Sequence, residues 1–173
     1  MQQSCENNWA VPNDSTDEIA NLKTAIVNTG TAQSIDPRFI LAIVMQESNG
    51  CVRVITTNYG VSNPGLMQSH NGTGSCNRDS VVQDPCPQSE ITQMVEDGTA
   101  GTSSGDGLVQ CITETGVAVG DVSRYYRAAR IYNGGVSGYN KDNLGSGCCT
   151  LCYASDVANR LRGWSTGVSG CTL

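Results

Sequence analysis

The chain has 173 residues, with 16 Asp or Glu against 10 Lys or Arg, for a net charge of −6. That length suits one domain spanning residues 1–173, and a composition 38% hydrophobic and only 15% charged excludes the core-poor signature of a disordered chain. The longest aliphatic run, residues 39–45, is far short of the roughly 20 residues a membrane helix needs, and an acidic chain without a basic patch is a poor partner for nucleic acid, whose affinity rests on phosphate contacts.

Taken in chain order, residues 1–14 show no periodicity and are expected to be irregular, tied down through Cys5 and Trp9. Met1 to Cys5 has neither a basic start nor an apolar run. The expectation is a mature secreted chain whose leader was removed and to which Met1 was added. Ser15-Thr16-Asp17-Glu18 reads as a capping box. Ile19, Leu22, Ile26 and Val27 then follow the helical period, with Gly30 as the stop. Asp36-Pro37 starts a second helix, with Asp as N-cap and Pro at the first helical position. It runs through Phe39, Ile40, Ile43 and Val44 to Asn49-Gly50.

Val52, Val54, Ile55, Thr56 and Thr57 favour a short strand from Cys51 to about Thr57. Turn signals follow at Asn58-Tyr59-Gly60 and Asn63-Pro64-Gly65. Residues 69–88, rich in Gly, Asn, Asp, Ser and Pro, read as a long loop held by Cys76 and Cys86. Ser89 caps the next helix. A short helix covers about 106–115, and Asp121 opens another that stops at Asn133-Gly134-Gly135. A last helix spans 153–163 on Tyr153, Val157 and Leu161. Arg124, Arg127 and Arg130 share a helical spacing and read as a solvated face. The expected fold class is α+β, mostly helical, with a small β element after the second helix.

Nine cysteines are spread from end to end: Cys5, Cys51, Cys76, Cys86, Cys111, Cys148, Cys149, Cys152 and Cys171. They read as disulfide staples, and so as an oxidising, extracellular setting. Cys149-x-x-Cys152 would need a second pair or histidines to hold zinc, and His70 is the only histidine. No metal and no cofactor are expected. Four bridges and one leftover thiol is the simplest count, with the adjacent Cys148 and Cys149 joined to different partners. Asn13-Asp14-Ser15 and Asn71-Gly72-Thr73 match the N-glycosylation acceptor pattern.

Glu47 stands out. It is three or four residues beyond Ile43 and Val44 and continues the apolar stripe of Phe39, Ile40, Ile43 and Val44. Apolar surroundings raise a carboxyl pKa, and the negative end of the helix dipole in the last turn pushes the same way. A carboxylic acid kept protonated near working pH can donate to a glycosidic oxygen. The plainer alternative is a carboxylate that reaches solvent at a helix end.

Three segments occur in order: Ile43-Val44-Met45-Gln46-Glu47-Ser48, Gly65-Leu66-Met67-Gln68 and Ile131-Tyr132-Asn133-Gly134-Gly135. They resemble the signature motifs of the lytic transglycosylase and goose-type lysozyme group, glycoside hydrolase family 23 and relatives. Weaker likeness continues in Glu90-Ile91-Thr92-Gln93 and Tyr153-Ala154-Ser155-Asp156-Val157-Ala158, so that the resemblance covers about residues 36–163. It implies a lysozyme-like fold with a cleft for peptidoglycan, in which a β-1,4 bond between N-acetylmuramic acid and N-acetylglucosamine is cut. Glu47 matches the catalytic acid. Ser48, Gly65, Leu66, Met67, Gln68, Tyr132 and Asn133 match the substrate-binding positions, Met67 packing on sugar, Gln68 hydrogen-bonding, Tyr132 orienting Glu47 and Asn133 contacting substrate. Ile131 and Gly134 depart from the family, where small Ala residues are usual.

No Asp or Glu occurs between Ser48 and Arg78, whereas two-carboxylate enzymes place the pair roughly 5–9.5 Å apart. Goose-type lysozymes carry aspartates in that stretch. Here Asn58 and Asn63 are the nearest polar substitutes. Asp79, Asp84, Asp97 or Asp106 could supply a base only by folding back. With one carboxyl, Glu47 acts as acid and then as base on the muramyl 6-hydroxyl or on water, while the substrate's N-acetyl group stabilises the charge. His70, in a Gly/Asn loop, reads as surface. The expected partner is a polysaccharide and the expected state a secreted monomer. Two other readings stay open: a chitinase or chitosanase on the same fold, which a pI of about 4.6 favours for a cationic polymer, and a non-catalytic secreted carbohydrate-binding protein.

Overall fold

The computed structural model describes residues 3–173. Met1, on which the expectation of an added start residue falls, lies outside them. Among the described residues seven α-helices follow one another with two small hairpins between the third and fourth: α1 (Ser4–Trp9), α2 (Thr16–Gln33), α3 (Pro37–Ser48), β1 (Thr57–Asn58), β2 (Ser62–Asn63), β3 (Asn77–Arg78), β4 (Val81–Val82), α4 (Gln88–Ala100), α5 (Leu108–Glu114), α6 (Ser123–Gly134) and α7 (Tyr153–Leu161). β1 pairs antiparallel with β2, and β3 with β4, as separate two-stranded sheets. No helix among the described residues is long and apolar enough to cross a membrane.

The helix starts read at Ser15 and Asp36 form as expected, whereas α4 begins at Gln88 with Pro87 as its N-cap, so Ser89 lies inside that helix and does not cap it. Ser15 and Glu18 form the reciprocal capping box. Asp36 caps α3 by accepting from the Arg38 backbone N–H at 2.9 Å. α2 does not stop at Gly30. It continues to Gln33 and ends where Ser34 turns into the left-handed region. Gly30 serves close approach instead: a Cβ there would stand 2.8 Å from the Ile35 carbonyl oxygen and 3.0 Å from Pro37.

Residues 1–14 were expected to be irregular, yet α1 forms and is bonded through Cys5 to Cys51, with Trp9 and Val11 packed alongside. The strand expected from Cys51 to Thr57 is absent. Val52, Arg53 and Val54 are buried in irregular backbone, because Arg53 holds that segment elsewhere. Its guanidinium donates to the Gln83 carbonyl at 3.0 Å and pairs with Glu18, with Asp14 at 3.5 Å and with Asp84 at 2.7 Å. Burial raises the Asp14 carboxyl to about 6, against the Val52 backbone N–H and Arg53. Burial acts the same way on Glu18, but the backbone N–H groups of Ser15 and Cys86 outweigh it and hold that carboxyl low. The loop expected at 69–88 contains the β3–β4 hairpin, closed by Cys76–Cys86.

The core lies where α3 passes through the molecule. Phe39, Ile40, Ile43 and Val44 are buried among residues of α2, α4, α6 and α7, and Phe39 meets Tyr125 edge-on with ring centroids 5.1 Å apart. α2 packs on α3 and α4, and α7 on α3 and α6. The C-terminal turns of α3 and α6 and the start of α7 therefore meet.

Three disulfides are present, Cys5–Cys51, Cys76–Cys86 and Cys152–Cys171. This is one fewer than expected. Cys111, Cys148 and Cys149 are free, and the adjacent pair is not joined to distant partners. The arginine face is corrected too. Arg130 is fully buried, donating to Asn133 Oδ1 at 2.9 Å and to the carbonyls of Ser146 and Cys148. Gly134 is what allows this, since a Cβ there would stand 2.8 Å from the guanidinium.

Candidate active site

A cleft of about 850 Å³ runs across the face where these segments meet. Glu47 contributes from the end of α3, and Thr57, Tyr59, Asn63, Gln68 and His70 from the β1–β2 hairpin and the loop after it. Ser104, Gly105 and Asp106 come from the loop before α5. Cys111 stands on α5, Ile131, Tyr132 and Asn133 at the end of α6, and Cys149 and Thr150 in the loop before α7.

Glu47 is partly buried. Desolvation pushes its carboxyl up to about 7, against the pull of a hydrogen bond that its Oε1 accepts from the Tyr153 hydroxyl. A side chain from the last helix therefore orients this carboxyl. Tyr132, expected in that role, donates its hydroxyl to the Met67 backbone carbonyl at 2.8 Å. It stands close enough to Glu47 for that charge, after burial, to push its phenol well above the ordinary range, as happens to Tyr153.

The Gly-Leu-Met-Gln segment divides. Gln68 lines the cleft, with its Oε1 accepting from Thr57 Oγ1 at 2.8 Å and its Nε2 donating to the carbonyls of Ile55 and Gly65 at 3.1 Å. It braces the hairpin wall. Gly65, Leu66 and Met67 are buried behind that wall. Met67, expected to pack on sugar, packs instead on Gly98, where a Cβ would lie 2.5 Å from its own. Gly65 adopts φ +76°, and a Cβ there would meet Met94 at 2.6 Å and the Gly74 carbonyl at 2.9 Å. Ser48 is also buried, its hydroxyl donating to the Val44 carbonyl and accepting from the Gly50 N–H, so it caps α3 and stands away from the cleft.

Asn133 lines the cleft at the edge, its Oδ1 accepting from Arg130 and from the Thr150 backbone N–H at 3.0 Å. His70 is exposed and also borders the cleft.

Of the four distant aspartates, one reaches the cleft. Asp79 is exposed in the turn of the β3–β4 hairpin and Asp84 pairs with Arg53. Asp97 is buried, accepting from the backbone N–H groups of Thr73 and Gly74 and from Gln93. Asp106 is exposed and shares the cleft with Glu47. Thr57 and Thr150 are site groups that no motif singles out, while the sequence names Asp106 only as a distant candidate base and Tyr153 only within the weaker likeness. Tyr153 reads from sequence as the first core residue of the last helix, which it also is.

No family model, no curated protein and no solved structure matches the chain. The geometry of the cleft and the chemistry of its groups are therefore what any assignment rests on.

Proposed function

We propose that the protein is a secreted glycosidase with a lysozyme-like fold that cleaves β-1,4 bonds between N-acetylmuramic acid and N-acetylglucosamine in peptidoglycan, as a muramidase or lytic transglycosylase. The observation that carries this reading is the cleft carboxyl of Glu47, raised to about 7 by desolvation and aimed by Tyr153. Such a group is protonated at mildly acidic pH and can transfer its proton to a leaving glycosidic oxygen.

Glu47 protonates the bridging oxygen, and the substrate's N-acetyl group stabilises the developing positive charge. Asp106, on the same cleft, adds a negative charge to that field. The resulting carboxylate of Glu47 then takes a proton from water or from the muramyl 6-hydroxyl. Tyr153, Gln68 and Asn133 hold geometry throughout. The three disulfides fit a secreted chain.

Net charge −6 opposes an anionic wall at neutral pH and favours a cationic polymer, which keeps chitosan or chitin cleavage as the second reading. Mass spectrometry of products from peptidoglycan and from chitosan oligomers decides between them. Muropeptides with a reducing end mark hydrolysis, and the same species lighter by one water mark the 1,6-anhydro route. Release from chitosan alone would overturn the peptidoglycan assignment, and release from neither would leave a binding protein.

A further inference from the structure

The three cysteines left outside the disulfides differ in setting. Cys111 is buried in α5, and desolvation raises its thiol to about 12. Cys148 and Cys149 are consecutive and exposed, in the loop between α6 and α7. Cys149 takes φ +69°, and its thiol donates to Cys148 Sγ at 2.8 Å. The two sulfurs are thus about 0.8 Å beyond the roughly 2.05 Å of a covalent S–S bond. The Cys148 thiol is directed at the Gly134 carbonyl, 3.6 Å away. Among the described residues no other cysteine sulfur is in hydrogen-bond contact with this pair.

We propose that Cys148 and Cys149 close a fourth disulfide, between consecutive residues, and that this bond is a redox-labile latch on the cleft rim. The oxidant is a small-molecule or protein disulfide of an oxidising compartment. The Cys148 thiolate attacks one sulfur of that disulfide, forming a mixed disulfide and releasing one thiol. The Cys149 thiolate then attacks Cys148 Sγ, closing the ring and releasing the second thiol. Two cysteine thiols are oxidised, one disulfide is reduced to two thiols, and the protons pass to the departing thiolates.

Cys148 is suited to the first attack. The Cys149 hydrogen bond and the Arg130 charge hold its thiol below the ordinary range, and thiolate fraction governs exchange. The bond is labile because consecutive Cα atoms are about 3.8 Å apart, inside the roughly 4.4–6.8 Å of an ordinary bridge, which makes it easier to reduce. It is a latch because the same short loop is tied to the rim. Arg130 donates to the carbonyls of Ser146 and Cys148, and the Thr150 N–H donates to Asn133 Oδ1 at 3.0 Å. Closing the ring fixes the backbone immediately before Thr150. None of this depends on what the cleft binds.

The test uses the whole chain equilibrated in glutathione buffers of graded redox ratio, alkylated after denaturation and digested without reduction. In oxidising buffer one alkyl group is expected, on Cys111, and the peptide holding Cys148 and Cys149 should be two hydrogens lighter than its reduced form. Milder reduction should open this pair before the other three, and amide exchange at Thr150 should quicken when it opens. In Cys148→Ser, Cys149 should alkylate with the other bridges intact. Alkylation of both Cys148 and Cys149 in oxidising buffer, or a peptide linking either to Cys111, would overturn the bond. Opening no earlier than the other bridges, or unchanged Thr150 exchange, would overturn the latch.

Discussion

The Tyr153 hydroxyl donates a hydrogen bond to the Glu47 carboxyl across 106 residues of sequence. It stabilises the carboxylate form while desolvation opposes that form, and desolvation dominates, which leaves the group at about 7. Removing the hydroxyl should therefore raise the Glu47 pKa further. In Tyr153→Phe the alkaline limb of the kcat/KM profile should move to higher pH, with turnover down by roughly ten-fold or more as the carboxyl loses its orientation. Tyr132→Phe should leave the limb in place and cost about 1 kcal/mol of stability, because the Met67 carbonyl loses its donor. pH–rate profiles of the two variants distinguish these roles.

Glu47→Gln should abolish cleavage of peptidoglycan while stabilising the fold at neutral pH. The sign follows from linkage. Glu47 titrates at about 7 in the folded chain against 4.5 for the free side chain, so the folded state binds the proton more tightly. Its contribution is fully present below about pH 4.5 and is lost as pH rises toward 7. A neutral Gln avoids that loss, a difference on the order of 3 kcal/mol above pH 7 that vanishes near pH 4. Urea denaturation of both proteins at pH 4 and pH 8 measures it.

Asp106→Asn removes a charge from the cleft but not the proton donor. Turnover should fall by about ten-fold, equivalent to about 1.4 kcal/mol of transition-state stabilisation. A loss as complete as that of Glu47→Gln would make Asp106 a second catalytic group. Single-turnover kinetics on a defined saccharide separates the two outcomes.

Arg53→Met should be the most destabilising charge change, by about 3–5 kcal/mol, since it leaves Glu18 buried without its cation. Asp84→Asn, at the exposed edge of the same cluster, should cost under about 1 kcal/mol. Thermal melts in low and high salt check the contrast.

Gly65→Ala tests whether the Gly-Leu-Met-Gln segment is built for packing. The added methyl meets Met94 and the Gly74 carbonyl at a positive φ, so destabilisation of roughly 1–3 kcal/mol is expected. Activity per folded molecule should change far less, and circular dichroism melts alongside active-fraction measurements separate the two effects.

Much of the helical framework was legible because its signals act within one turn. The Ser15–Glu18 capping box, Asp36-Pro37 at the start of α3 and the stop before Gly135 each depend on residues at most four apart. The placement of Glu47 on the apolar stripe of α3 is of the same kind, which is why periodicity alone singles it out. The resemblance to a glycosidase family adds an expectation for the other motifs. Of the residues it names, Gln68, Tyr132 and Asn133 line the cleft, whereas Ser48, Leu66 and Met67 are buried.

Tertiary structure decided what depends on distant segments meeting. Val52 and Val54 have strand-like side chains, yet Arg53 between them is claimed by Glu18 and Asp84 and pulls the backbone away from pairing. Arg130 shares its spacing with Arg124 and Arg127 but is buried under the loop before α7, whose carbonyls it satisfies. Tyr153 becomes the partner of Glu47 only because α7 packs on α3. Local propensity is an energy of neighbouring residues and can be read from their order. A hydrogen bond, an ion pair or a desolvated carboxyl is an energy of surroundings, and those surroundings exist only after the chain has folded back on itself.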